Sequence, residues 1–156
     1  MRGSTTEREG GTMFLGEYQH TLDAKGRVSL PAKFRTETTD RLVVSKGLDG
    51  CLWVFPADRY EEFASNLLSK DDFKKTSRKV QRYFMAGAAE VEIDSAGRIS
   101  VPSVLREFAG LEKELAVIGA GHRIEIWNAE QWAAYNIEAA ESIVDDAEEL
   151  SDLGFL

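Results

Sequence analysis

Arg27 and Arg98 are the side chains whose type and setting best suit chemistry in this sequence. Each follows a glycine and stands four residues after an aspartate, in Asp23-Ala24-Lys25-Gly26-Arg27 and in Asp94-Ser95-Ala96-Gly97-Arg98. A planar guanidinium can donate two parallel hydrogen bonds to guanine O6 and N7, or grip a phosphate. Lys25, at the turn tip, suits a phosphate as a point charge. Asp23 and Asp94 would be repelled by a nucleic acid, so their expected part is to hold the turn and orient the arginine. Gly26 and Gly97 supply the positive φ that such a turn needs. The competing reading of either Asp/Arg pair is a plain hairpin brace, and a brace also preorganises the tip. The copies differ at one telling place: Ala96 stands where the first has Lys25. The first tip is therefore expected to dominate contact with an anionic partner, the second to assist or to serve packing.

The elements that must position these tips are also written twice. Asp23–Arg35 and Asp94–Arg106 share six of thirteen residues at a separation of 71 positions: Asp, Gly, Arg, Ser, Pro and the final Arg. Tyr18, His20 and Leu22 alternate into the first turn and Val28 and Leu30 alternate out of it, which is the pattern of a hairpin. Val91, Ile93, Ile99 and Val101 repeat it. Pro31 and Pro102 suit the start of a short helix. Arg41–Lys46 and Cys51–Phe55 read as a second hairpin, followed by a helix over Asp58–Leu68. Leu115–Ile118, a turn at Gly119–Gly121 and Arg123–Trp127 match them. Asn128-Ala129-Glu130-Gln131 is a capping-box start for the last helix. Between the copies a helix over Asp71–Met85 should bury Phe73, Ser77, Val80 and Phe84 and expose the basic stripe Lys74, Arg78 and Arg82. That stripe is a solvated face or a surface for phosphate or a neighbouring subunit.

Each copy alone, at about fifty residues, buries too little surface to be comfortable as a monomer. Two copies can pack as a pseudo-two-fold pair with their sheets in one small barrel. The expected class is thus α+β, mainly β. The expected domains are residues 1–12 as an extension or expression leader, 13–68 as the first repeat, 69–86 as a linking basic helix, 87–135 as the second repeat and 136–156 as an acidic tail. Two equivalent Arg-bearing tips suit a partner that itself repeats, and double-stranded DNA is the commonest.

The net charge of −8 taken alone opposes that partner, but seven acids and no Lys or Arg lie from Ala133 onward, so the preceding residues carry only −1. Local patches decide phosphate contact. The lone Cys51 excludes an internal disulfide and fits a reducing cytoplasm. No apolar run approaches the ~20 residues of a membrane span. His20 and His122 lie far apart, no cluster has metal-site spacing, and Gly119–Gly121 joins two strands rather than a strand and a helix. Catalytic residues, a metal, a cofactor and a small-molecule substrate are accordingly not expected.

The twice-written Asp-x-x-x-Arg tip, in a stretch opening MFLGEYQHTLDAKGRVSLPAKFR at Met13, resembles the MraZ family. The resemblance covers nearly all of Met13–Tyr135. It implies a double AbrB-like, swapped-hairpin fold and a ring-shaped homo-oligomer. It also implies a nucleoid-associated bacterial regulator that represses its own cell-division and cell-wall operon through short direct repeats. Trp53, Trp127, Trp132 and Tyr135 are then candidates for the ring interface, with simple core packing as the alternative for each. A second functional class stays open. AbrB-like folds also occur in antitoxins, and the acidic stretch Glu138–Asp152 would suit a basic protein. Trp132, Tyr135, Ala139 and Ile143 continue a helical stripe, so the first half of the tail is expected to pack on the body or on a neighbour.

Overall fold

The two hairpins do not close on themselves. In the computed structural model, which describes residues 13–156, strand β1 (Phe14–Thr21) pairs along its length with β7 (Glu114–Gly121) of the second repeat. Strand β2 (Arg27–Ser29) pairs with β6 (Arg98–Ser100). In return β5 (Ala88–Glu92), the counterpart of β1, crosses to β3 (Arg41–Lys46) of the first repeat. The arms of the first hairpin meet at the Leu22–Val28 bridge and through the Asp23 N–H, which donates to the Arg27 carbonyl at 2.9 Å. Each repeat thus completes the other, which answers the small-core problem of a half-sized unit. The extension over residues 1–12 lies outside the described residues.

With β4 (Leu52–Pro56) and β8 (Ile124–Asn128), six strands form one antiparallel sheet in the order β1-β7-β8-β4-β3-β5. Its pairing obeys the duplication. Tyr18 opposite Val117 becomes Ala89 opposite Val44, once β1 is shifted by 71 (89 − 18) and β7 by 73 (117 − 44). The pseudo-two-fold axis passes between Val28 and Ile99 in the small ribbon and between Trp53 and Glu125 in the large sheet.

A single closed barrel is not what the hydrogen bonds build. The β2–β6 ribbon is a separate sheet across one face, and β1 and β5 are the edges of the other. Pro31 and Pro102 lie two residues beyond β2 and β6 and have no N–H to donate. The ribbon therefore ends after three residues a side, and the Leu22–Val28 bridge is not extended into a ladder with edge strand β1.

The large sheet is buried on both faces, and the period-two alternation of its strands sorts residues between two cores. Leu52, Val54, Ile124 and Ile126 point to the first, with Val28, Leu30, Ile99 and Val101 of the ribbon. Phe34 of α1 (Ala32–Arg35) and Leu105 of α4 (Ser103–Phe108) close that core. Trp53, Phe55 and Trp127 point to the second, under α2 (Ala57–Leu68), α3 (Lys75–Ala86) and α5 (Ala129–Asp145). Gly119 is not a turn residue, as its sequence setting suggests, but lies within β7. A Cβ there would strike the backbone of Phe14 and Leu15, so the glycine admits β1 to the sheet.

Helix α3 begins later than the periodicity predicts, and of the face expected inside only Phe84 is buried, with Phe73 94% and Val80 37% exposed. The Asp71 carboxylate accepts the Phe73 N–H at 2.9 Å, and this local turn competes with the helix. At the other end of the chain the Asn128 side chain caps α5, accepting the N–H groups of Glu130 and Gln131 at 2.9 and 3.1 Å. Helix α5 runs on through the start of the acidic stretch and is followed by α6 (Ala147–Asp152). Trp53 and Trp127 are core residues, Trp132 is half-buried, and Tyr135 is exposed. No helix among the described residues is long and apolar enough to cross a membrane.

Candidate nucleic-acid interface

Each tip is wound around its aspartate. One Asp23 oxygen accepts the Lys25 and Arg27 N–H groups at 2.9 and 2.8 Å, and the other accepts Arg27 Nε at 2.8 Å. The Gly26 N–H returns to the Asp23 carbonyl at 3.0 Å, with Gly26 at φ 78°. Asp94 repeats the arrangement with Ala96 N–H, Arg98 N–H and Arg98 Nε at 2.9, 2.9 and 3.0 Å, and Gly97 stands at φ 80°. The backbone N–H of the arginine is the main cause that holds each carboxyl below its usual range, aided by the guanidinium. The brace is therefore real in both copies, and it fixes the arginine that it braces.

The ribbon then sets the two arginines side by side. Val28 and Ile99 are opposed and buried, so Arg27, Ser29, Arg98 and Ser100 occupy the opposite face by strand alternation. Arg27 lies across from Ser100 and Arg98 across from Ser29. The arginines are thus diagonal neighbours, whose spacing in such a pair is about 7–8 Å. Their side chains are 27% and 32% exposed. Each uses Nε for its aspartate, and among the described residues no hydrogen bond occupies the Nη groups. A guanidinium held at one edge with the other edge open is poised for a bidentate acceptor. Lys25 is exposed at the first tip, and Ala96 is its neutral counterpart at the second. The structure thus brings Arg27 and Arg98 to one face, with Lys25 on the adjoining turn and Asp23, Gly26, Asp94 and Gly97 behind them.

Two further residues belong to this site. The Arg106 guanidinium lies so close over Gly26 that a Cβ there would overlap it, and Arg35 covers Gly97 in the same way. Each comes from the helix of the other repeat. Backbone bonds cross as well: Val101 N–H donates to the Gly26 carbonyl at 2.9 Å, and Leu30 N–H to that of Gly97 at 3.0 Å. The first tip is held by the second repeat and the second by the first. Arg106 Nε is buried and has no hydrogen-bond partner among the described residues. The signal in the sequence was the identical final arginine of both motif copies. Its meaning depended on the swap, which no local pattern shows.

The family model described as "MraZ protein, putative antitoxin-like" matches residues 13–83 and again 84–153. A protein of Heliobacterium modesticaldum, called transcriptional regulator MraZ, is 46% identical over 140 residues, 90% of this chain and 98% of its own. Proteins of the same name from Halothermothrix orenii and Syntrophomonas wolfei are each 45% identical over 142 residues, 91% of this chain and 99% of theirs. The boundary between the two matched segments falls in the last turn of α3, shortly before β5, so the family's unit follows the structural repeat closely. The chain belongs to the MraZ family.

Proposed function

We propose that this chain is a sequence-specific DNA-binding transcriptional regulator whose reading head is the outward face of the β2–β6 ribbon. The observation that carries this is the pair of braced arginines on one two-fold ribbon, each with its Nη edge open. The name of the relatives points the same way. Arg27 and Arg98 read base edges or grip phosphates, Lys25 holds a phosphate beside the first tip, and Asp23, Gly26, Asp94 and Gly97 keep the geometry. By family resemblance the regulator acts in the cytoplasm on the nucleoid, binds short direct repeats upstream of its own division and cell-wall operon, and represses it. No cofactor takes part.

One ribbon offers few positive charges, and a single subunit should bind weakly. A ring of subunits would present several ribbons to tandem repeats, and effective concentration then adds roughly 10²–10⁴-fold. Such a ring needs a heterologous contact that closes.

The test is a titration on the DNA upstream of the protein's own operon, beside a scrambled duplex, at two salt concentrations. Wild type should prefer its own upstream DNA. Arg27→Ala should lose that preference, and Lys25→Ala should weaken both duplexes and lower the salt slope by about one. Equal binding to the two duplexes by wild type would contradict sequence-specific reading.

A second reading rests on a separate observation. The acids of α5 and α6 are solvent-facing, with no basic residue among them from Ala133 onward. An antitoxin-like module would use that face for a basic protein, and co-purification of a small basic partner would favour it.

A further inference from the structure

The internal repeat carries its own template for how each half is finished. In the first half Phe55, Tyr60 and Phe63 form an aromatic trio with centroids 5.7, 6.1 and 5.1 Å apart. Helix α3 turns back and closes it. Phe84 meets Phe63 edge-on at 5.2 Å and stacks on Trp53 at 5.6 Å, while the Tyr60 hydroxyl reaches the Phe84 carbonyl at 3.5 Å. In the second half the counterparts, 72 positions on, are Trp127, Trp132 and Tyr135. They form the same kind of trio at 5.1, 6.2 and 4.9 Å.

The counterparts of Tyr83 and Phe84 are Phe155 and Leu156, but they do not close this trio. The first half turns at Ser69–Lys74, whereas α5 runs straight through the first five of the matching positions, Glu141–Asp145. Leu153, Phe155 and Leu156 are left 65%, 74% and 77% exposed, and Tyr135 is 41% exposed where Phe63 is half-buried. Both parts of one apolar contact are present and apart.

We propose that the Leu153–Leu156 segment of a second copy seats on Trp132 and Tyr135, above the buried Trp127, as Phe84 seats on the first trio. The occupant is another copy because the matching segment is in this chain, and the unbroken α5 carries it away from its own seat. Each subunit gives one segment and receives another. Reciprocal exchange would close a dimer, and head-to-tail exchange would close a ring. The proposal deepens the oligomer reading above and rests on it.

The test compares wild type with Phe155→Ser/Leu156→Ser by light scattering across a dilution series, with circular dichroism as the control for folding. Both side chains are largely solvent-exposed in the isolated subunit, so their replacement leaves its fold intact. Removing two such anchors should weaken assembly by about a hundredfold. A second variant, Tyr135→Cys/Leu156→Cys, is oxidised and run on a denaturing gel; Cys51 is buried and stays out of the reaction. Dissociation of the serine variant together with an intermolecular cross-link supports the exchange. A wild-type assembly that the serine substitutions leave intact, or a cross-link confined within one chain, overturns the exchange while the oligomer reading stands. A wild type that is monomeric throughout overturns both.

Discussion

A guanidinium that is to read a base must not have to find its orientation on arrival, and Arg27 and Arg98 are already fixed by their aspartates. Loss of Arg27 should therefore weaken specific binding by about 1–3 kcal/mol. Arg98→Ala should cost less, because its tip has Ala96 in place of Lys25; an equal cost in anisotropy titrations would make the tips equivalent. Gly26 is constrained twice, by φ 78° and by the Arg106 guanidinium above it. Gly26→Ala should destabilise the fold by about 1–2 kcal/mol from the backbone alone, read as an earlier urea midpoint. The tip carries a pH dependence of definite sign. Asp23 and Asp94 titrate below their usual range in the folded protein because the arginine N–H groups favour the charged form. Their contribution is therefore present at neutral pH and is lost as the pH falls through those depressed values. Arginine Nε–H resonances should stay in place down to the ordinary carboxylate range and move only below it.

At the scale of elements, what could be read from the sequence was whatever local physics decides. The tip glycines Gly26 and Gly97, the alternation into and out of each tip and the cap at Asn128 all lie where their residue types place them, whereas Gly119 does not. The partners of the strands could not be read, because Val28 alternates in the same way whether it faces its own hairpin arm or the other repeat. Phe73 misled for a similar reason: its spacing is helical, yet Asp71 captures its N–H and holds it outside α3. The two phenylalanines Phe34 and Phe73 turn this contrast into a measurement. Phe34 is 1% exposed and meets Phe14 and Tyr18 edge-on at 5.4 and 5.2 Å. Phe34→Ala should cost about 3–5 kcal/mol in urea unfolding, while Phe73→Ser should stay within about 0.5 kcal/mol.

For the molecule as a whole, the swap makes the two repeats one cooperative unit. Arg106 covers the first tip and Arg35 the second, so damage in either repeat should reach both tips. The lone cysteine offers a probe of that cooperativity. Cys51 is fully buried in the second core, and burial pushes its thiol up to about 12. It should resist a thiol reagent in the native protein and react only as the whole domain unfolds; early reaction would mean that the second core opens separately. If Arg27 and Arg98 form one reading face, as proposed, they must act on the DNA together. The most direct measurement is an anisotropy titration of wild type, Arg27→Ala, Arg98→Ala and the double variant on one labelled operator duplex, with melting curves for each. Each single variant should weaken binding, Arg27→Ala should already lose the preference over a scrambled duplex, and the two losses should not be additive, with melting temperatures only slightly lowered. Four superimposable binding curves from four folded proteins would contradict it and leave the twice-written motif as a brace alone.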